Sequence, residues 1–229
     1  MIKRSVKSLL LIVALILSLA LNTVYIGRYI YFKHVFKDRR NYGNVAYRNR
    51  LNMYDSLALN HSSIVFIGDS QTQGYNVAEF FDNASCVNRG IGGDRSASLL
   101  KRLSYIIKGS PAKIFLQVGV NDITQKVPVE VFSANIARVI SEIQLGSPGT
   151  KLFIESIFPT SHINRSQLIS FNRALQLICA KYAVTYIDLY PQFDDHGHLK
   201  KEYDSGDGLH LNYAGYKAWT AILKPYVTQ

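Results

Sequence analysis

Cysteine is scarce in this chain. Cys86 and Cys179 are too few for a disulfide framework and lack metal-ligand spacing, so two thiols in the core are the expected state. Internal repeats and low-complexity tracts are missing too, which excludes a solenoid and a long disordered arm. Acidic residues are almost absent from the first 50 positions, where Asp38 alone faces ten Lys or Arg. The remainder holds 16 basic and 15 acidic groups, so the formal charge of +10 sits almost wholly at the N-terminus. A nucleic-acid binder carries its excess along a groove or helix face of the folded domain. Here the excess flanks an apolar segment, which points to a membrane surface and away from nucleic acid.

That segment, Ser8 to Gly27, is uncharged between Lys7 and Arg28. Its length of about 30 Å as a helix matches a bilayer core. The reading is an N-terminal membrane anchor over residues 1–27, with Tyr25, Tyr29, Tyr31 and Phe32 suited to an interfacial belt. A cleaved signal peptide is the alternative, since Ser18-Leu19-Ala20 resembles a cleavage site. By the positive-inside count alone, the cluster Arg28, Lys33, Lys37, Arg39 and Arg40 would keep the C-terminal part in the cytoplasm.

Residues 28–60 form a basic, Tyr-rich connector in which Tyr47, Leu51, Tyr54 and Ala58 fall at helical spacing and predict a helix packed on the domain. Residues 61–229 form one domain of ample size for its own core. Within it, runs Ile64–Ile67, Cys86–Asn88, Ile114–Val118, Leu152–Ile157 and Val184–Ile187 alternate with helix patterns near Ala97–Ile107, Val129–Ile143, Ser166–Tyr182 and Tyr213–Leu223. Such alternation predicts an α/β fold with a parallel sheet covered on both faces.

In an open parallel sheet, reactive groups belong just beyond the carboxyl ends of the strands. Ser70 follows the first strand in Gly68-Asp69-Ser70, Gly92 and Gly93 follow the second, and Asn121 follows the third. These loops share one crevice if the first strand lies between the second and third, as in flavodoxin-like sheets. A serine hydroxyl needs a neighbouring base to become nucleophilic. His210 is the expected base and Asp207 its orienting acid. The backbone amides of Ser70 and Gly93 and the side-chain amide of Asn121 can supply an oxyanion hole. At Gly93 a side chain is expected to block backbone approach. His196 and His198, with Asp194, Asp195 and Asp204, read as solvated loop, Asp188 as a cap, and no metal or cofactor is expected.

Four ordered blocks, Gly68-Asp69-Ser70, Asn88 to Asp94, Gly119-Val120-Asn121-Asp122 and Asp207 to His210, give the chain a resemblance to the SGNH, or GDSL-type, esterase and lipase superfamily, from about residue 46 onward. The glycine block is similar to the branch that holds platelet-activating-factor acetylhydrolase-like proteins and bacterial carbohydrate O-acetylesterases. No Gly-x-Ser-x-Gly elbow surrounds Ser70, which separates the chain from α/β-hydrolases.

The resemblance implies a three-layer α/β/α sandwich with a five-stranded parallel sheet and metal-independent ester hydrolysis through an acyl-serine. The substrate it suggests is a short-chain ester, foremost acetyl, of a carbohydrate or cell-envelope molecule. O-acetyl transfer to a polysaccharide, a lysophospholipase or lipase activity, and an inactive binding module are the alternatives. Relatives often carry Thr where this chain has Arg95, whose guanidinium could meet a substrate carboxylate or phosphate. Anchored relatives face outward, which implies a bacterial inner membrane with the catalytic domain outside the cytoplasm, against the charge count.

Overall fold

The computed structural model describes residues 15, 18–19, 21–26 and 45–228. The chain divides into two compact units, residues 1–49 and Arg50–Gln229. In the first, residues 21–26 are helical. Most of the expected anchor and residues 28–44 of the connector lie outside the described residues. Among those described, no helix is long and apolar enough to cross a membrane, so the expected transmembrane helix has no support there.

The second unit takes in the end of the connector. Residues 45–56 are helical (α1), and Tyr54 is buried, donating to the Gly90 carbonyl at 3.2 Å with the Arg89 guanidinium 4.9 Å from its ring centroid.

Five parallel strands follow: β1 (Ile64–Gly68), β2 (Cys86–Gly90), β3 (Lys113–Gln117), β4 (Lys151–Glu155) and β5 (Thr185–Ile187), in the order β2-β1-β3-β4-β5. The expected sheet and the position of β1 between β2 and β3 both hold. Successive strand residues face opposite sides of the sheet. Thus Val65, Ile67, Ile114 and Leu116 pack with Leu99, Leu103 and Ile106 of α4 (Ser96–Lys108), Phe132 and Ile136 of α6 (Val129–Gly146), and Leu168 and Phe171 of α7 (Arg165–Tyr182). Ile64, Phe66, Phe115 and Phe153 pack on the other side with Val77 of α3 (Val77–Phe81) and with Trp219, Leu223 and Val227 of α9 (Tyr213–Thr228). Register places Phe66, Phe115 and Phe153 abreast, and their rings stack with centroids 4.8 and 4.7 Å apart.

Both cysteines are buried and free. Four short helices went unanticipated: α2 (Ser70–Gln73), α3, α5 (Val120–Thr124) and α8 (Tyr190–Phe193). The stretch read as irregular around His196 and His198 is a small antiparallel hairpin, β6 (Asp194–Asp195) with β7 (His198–Leu199).

Candidate active site

Ser70 opens α2 directly beyond β1, and Asp69 caps that helix by accepting from the Gln71 amide at 3.0 Å. His210 Nε2 lies 2.9 Å from Ser70 Oγ, and His210 Nδ1 lies 2.6 Å from Asp207 Oδ2. A carboxylate only accepts, so Nδ1 carries the proton and the Nε2 lone pair faces the hydroxyl. Asp207 Oδ1 also accepts from the His210 and Leu209 amides at 2.8 and 3.0 Å. The bond from His210, helped by these amides, holds the Asp207 carboxyl well below the usual carboxylate range although its side chain is half exposed. The line Ser70–His210–Asp207 can therefore take a proton from a hydroxyl and stabilise the imidazolium that results.

The loop bearing this acid and base is held from two sides. Gln71, buried beside Ser70, donates its amide to the Leu209 carbonyl and accepts from the Leu211 amide at 3.3 Å. The segment after β4 holds the other side: the Gly208 carbonyl accepts from Thr160 Oγ1 at 2.7 Å and the Ser161 amide at 3.1 Å. His162 Nε2 stands 2.7 Å from the Asp207 carbonyl. None of these four holding residues carried a signal in the sequence beyond lying near a motif or a strand end.

The glycine loop runs beside the nucleophile. A Cβ added at Gly92 would lie 3.7 Å from the Ser70 Cβ, and the Gly92 amide donates to Gln73 Oε1 at 2.8 Å. Gly93 has φ +83°, yet an added Cβ would meet nothing within 4 Å. The backbone at Gly93 is thus open to approach, and its left-handed φ is a second reason for glycine there. Asn121, half-buried at the start of α5, donates from Nδ2 to the Asp94 carbonyl at 3.0 Å, next to Gly93. Its second amide hydrogen remains for another acceptor.

Beneath the loop, the fully buried Arg102 pairs with Asp94 at 2.6 Å and also donates to the carbonyls of Arg89 (2.8 Å) and Gly68 (3.2 Å). One side chain thus ties the nucleophile strand, the second strand and the glycine loop together. Its only sequence signal was an arginine on the apolar face of a helix, three residues after Leu99. Arg95 is half-exposed at the N-cap of α4 and makes no side-chain cap hydrogen bond. Burial raises the nearby Asp122 carboxyl, opposed by hydrogen bonds from Ser96 and by the Arg95 charge. Asp188 accepts from the Tyr190 amide at 3.2 Å, as a cap.

Ser70, His210 and Asp207 thus stand hydrogen-bonded in line at the carboxyl edge of a parallel sheet, an arrangement that has the parts a serine hydrolase needs. Residues 66–218 match the GDSL-like lipase/acylhydrolase family, and the chain belongs to that family. A solved structure from Streptococcus pneumonia, provisionally named a platelet activating factor, is 30% identical with a TM-score of 0.78, over 84% of this chain and 98% of its own.

A GDSL-like lipase from Bacteroides thetaiotaomicron, 21% identical, shares the fold with a TM-score of 0.70 over 80% of this chain and 97% of its own. So does an acetyl xylan esterase, 19% identical with a TM-score of 0.62, over 72% of this chain and 99% of its own. Among curated proteins, N-acylneuraminate cytidylyltransferase of Streptococcus agalactiae is 22% identical over 195 residues, 82% of this chain. The match spans only 43% of that relative's length.

Proposed function

We propose that this chain hydrolyses short-chain esters, foremost acetyl esters, of carbohydrate or cell-envelope molecules through an acyl-serine intermediate. The hydrogen-bonded line from Ser70 through His210 to Asp207 carries the reading. Ser70 Oγ attacks the ester carbonyl carbon as its proton passes to His210 Nε2, and Asp207 stabilises the imidazolium. The oxyanion meets the backbone amides of Ser70 and Gly93 and the second amide hydrogen of Asn121, donors worth a few kcal/mol each. The carbon–oxygen bond to the alcohol then breaks, and the departing alkoxide takes the proton from His210. Water attacks the acyl-serine by the same route and returns the free enzyme and the acid.

Two likenesses favour a carbohydrate ester: one neighbour in fold is an acetyl xylan esterase, and the curated relatives are named for N-acylneuraminate. Arg95, half-exposed beside the glycine loop, adds a positive charge there that favours an anionic substrate. The reading includes attachment to a bacterial inner membrane by residues 1–27, with the catalytic unit outside the cytoplasm. The uncharged stretch Ser8 to Gly27 between basic flanks supports the anchor, and the outward placement follows the habit of anchored relatives against the flanking charge.

The test is hydrolysis of p-nitrophenyl acetate, butyrate and octanoate by the wild type and by Ser70→Ala. Activity highest on acetate and lost in Ser70→Ala is expected. Turnover that survives the substitution removes Ser70 as nucleophile, and rates that rise with chain length point to a lipid substrate.

A further inference from the structure

Between α5 and the start of α7 lies a cleft of about 590 Å³, roomy enough for a sugar ring with its substituents. Its walls belong to the catalytic framework. One is formed by Ile123 and Thr124, from the short helix that also carries Asn121, and Thr124 Oγ1 donates to the Asn121 carbonyl at 3.2 Å. The facing wall begins at His162, whose Nε2 stands 2.7 Å from the Asp207 carbonyl. A carbonyl only accepts, so Nε2 donates and Nδ1 is left as an acceptor for a hydroxyl. The cleft is thus bounded by the segment bearing the oxyanion amide and by the segment that holds the triad acid.

Its lining is also one-sided in charge. Lys126 is the one charged side chain among its lining residues, no Asp or Glu joins it, and Gln167 and the neutral His162 add hydrogen-bonding capacity beside the apolar Phe171. We infer that this cleft receives the alcohol portion of the ester, and that this portion is a sugar bearing a negatively charged group, held toward Lys126. The inference rests on the esterase reading and names the substrate class of the same site. An acidic sugar gains a charge-assisted hydrogen bond to Lys126 that an uncharged one does not.

The full chain is assayed with mono-O-acetylated N-acetylneuraminate, mono-O-acetylated glucose and p-nitrophenyl acetate. Lys126 and Gln167 are both exposed. Lys126→Glu is expected to lower kcat/KM for the acidic sugar relative to acetylated glucose about tenfold, mainly through KM. Gln167→Trp, which fills the cleft, is expected to lower kcat/KM for both sugars relative to p-nitrophenyl acetate by about the same factor. Either ratio unchanged in a folded variant, or a wild type that prefers the neutral sugar or cleaves neither, overturns the inference and leaves the esterase reading standing. Hydrolysis of p-nitrophenyl acetate that persists in Ser70→Ala sinks the esterase reading instead.

Discussion

The side-chain amide of Gln71 grips the backbone on both sides of His210, donating to the carbonyl before it and accepting from the amide after it. Because Gln71 directly follows Ser70, Ser70 and His210 share one support although 140 positions separate them in the chain. The Tyr216 hydroxyl extends that support by donating to the Gln71 carbonyl at 3.0 Å.

Gln71→Ala should therefore hurt chemistry more than binding. Freed of its grip, the loop would let the imidazole drift from Ser70, and small misplacements of reacting groups cost about 10–100-fold in rate. The expected result is a kcat for p-nitrophenyl acetate reduced to that extent, with KM less affected. A kcat that stays within about twofold of wild type, in a protein shown to be folded, would mean that Asp207 and the segment after β4 suffice to place His210.

Arg102 is expected to be a stability residue with a catalytic consequence. Replacing it by Leu leaves the Asp94 carboxylate buried without its guanidinium, which costs about 3–5 kcal/mol. Arg102→Lys restores the charge but not the fork that spans Asp94 and two strand-end carbonyls, so most of the loss should remain. Denaturant unfolding of the three proteins checks this; a Lys variant as stable as wild type would show that charge alone matters.

The sheet and its principal helices were legible because apolar runs and 3.6-residue patterns mark elements that bury a face. Ile64–Ile67, expected as the first strand, is observed as Ile64–Gly68. The helix expected at Ser166–Tyr182 is observed as Arg165–Tyr182, capped by the Asn164 side chain. The short helices were not legible, since four or five residues at a strand exit are shaped by tertiary contacts more than by their own pattern. Ser70, His210 and Asp207 were legible as motif residues, and the structure brings them within hydrogen-bond reach. Gln71, Arg102 and His162 were not, because most of their partners are backbone groups of other segments that no sequence spacing encodes. Gly93 was singled out for an open backbone, and the structure adds a left-handed dihedral that no motif encodes.

Gly93→Ala tests that reason. With no protein atom within 4 Å of the new methyl, the cost should be conformational, about 1 kcal/mol for a side chain at φ +83°. Under the proposed mechanism the Gly93 amide meets the oxyanion and would turn with the strain, and losing one such donor costs about 100-fold or more in kcat. A variant with slightly reduced stability and strongly reduced kcat is expected. Wild-type turnover would remove the Gly93 amide from the oxyanion hole.

Glu155, at the end of β4, sets a pH dependence of stability. Its carboxyl is fully buried and accepts from the Trp219 indole, and burial pushes it up to about 8 from an ordinary 4.5. The folded state thus retains a proton that the unfolded chain has released. The contribution from this group is fully present below about pH 4.5 and is lost as pH rises through about 8, at up to about 1.4 kcal/mol per pH unit. Asp69, buried and raised to about 7, acts in the same direction. Glu155→Gln keeps an acceptor for Trp219 and has no proton to lose. Its melting temperature should fall less steeply than that of the wild type between about pH 5 and 8, with the slope from Asp69 remaining. Thermal unfolding followed at several pH values measures both slopes, and equal slopes would mean that Glu155 ionises without cost in the folded protein.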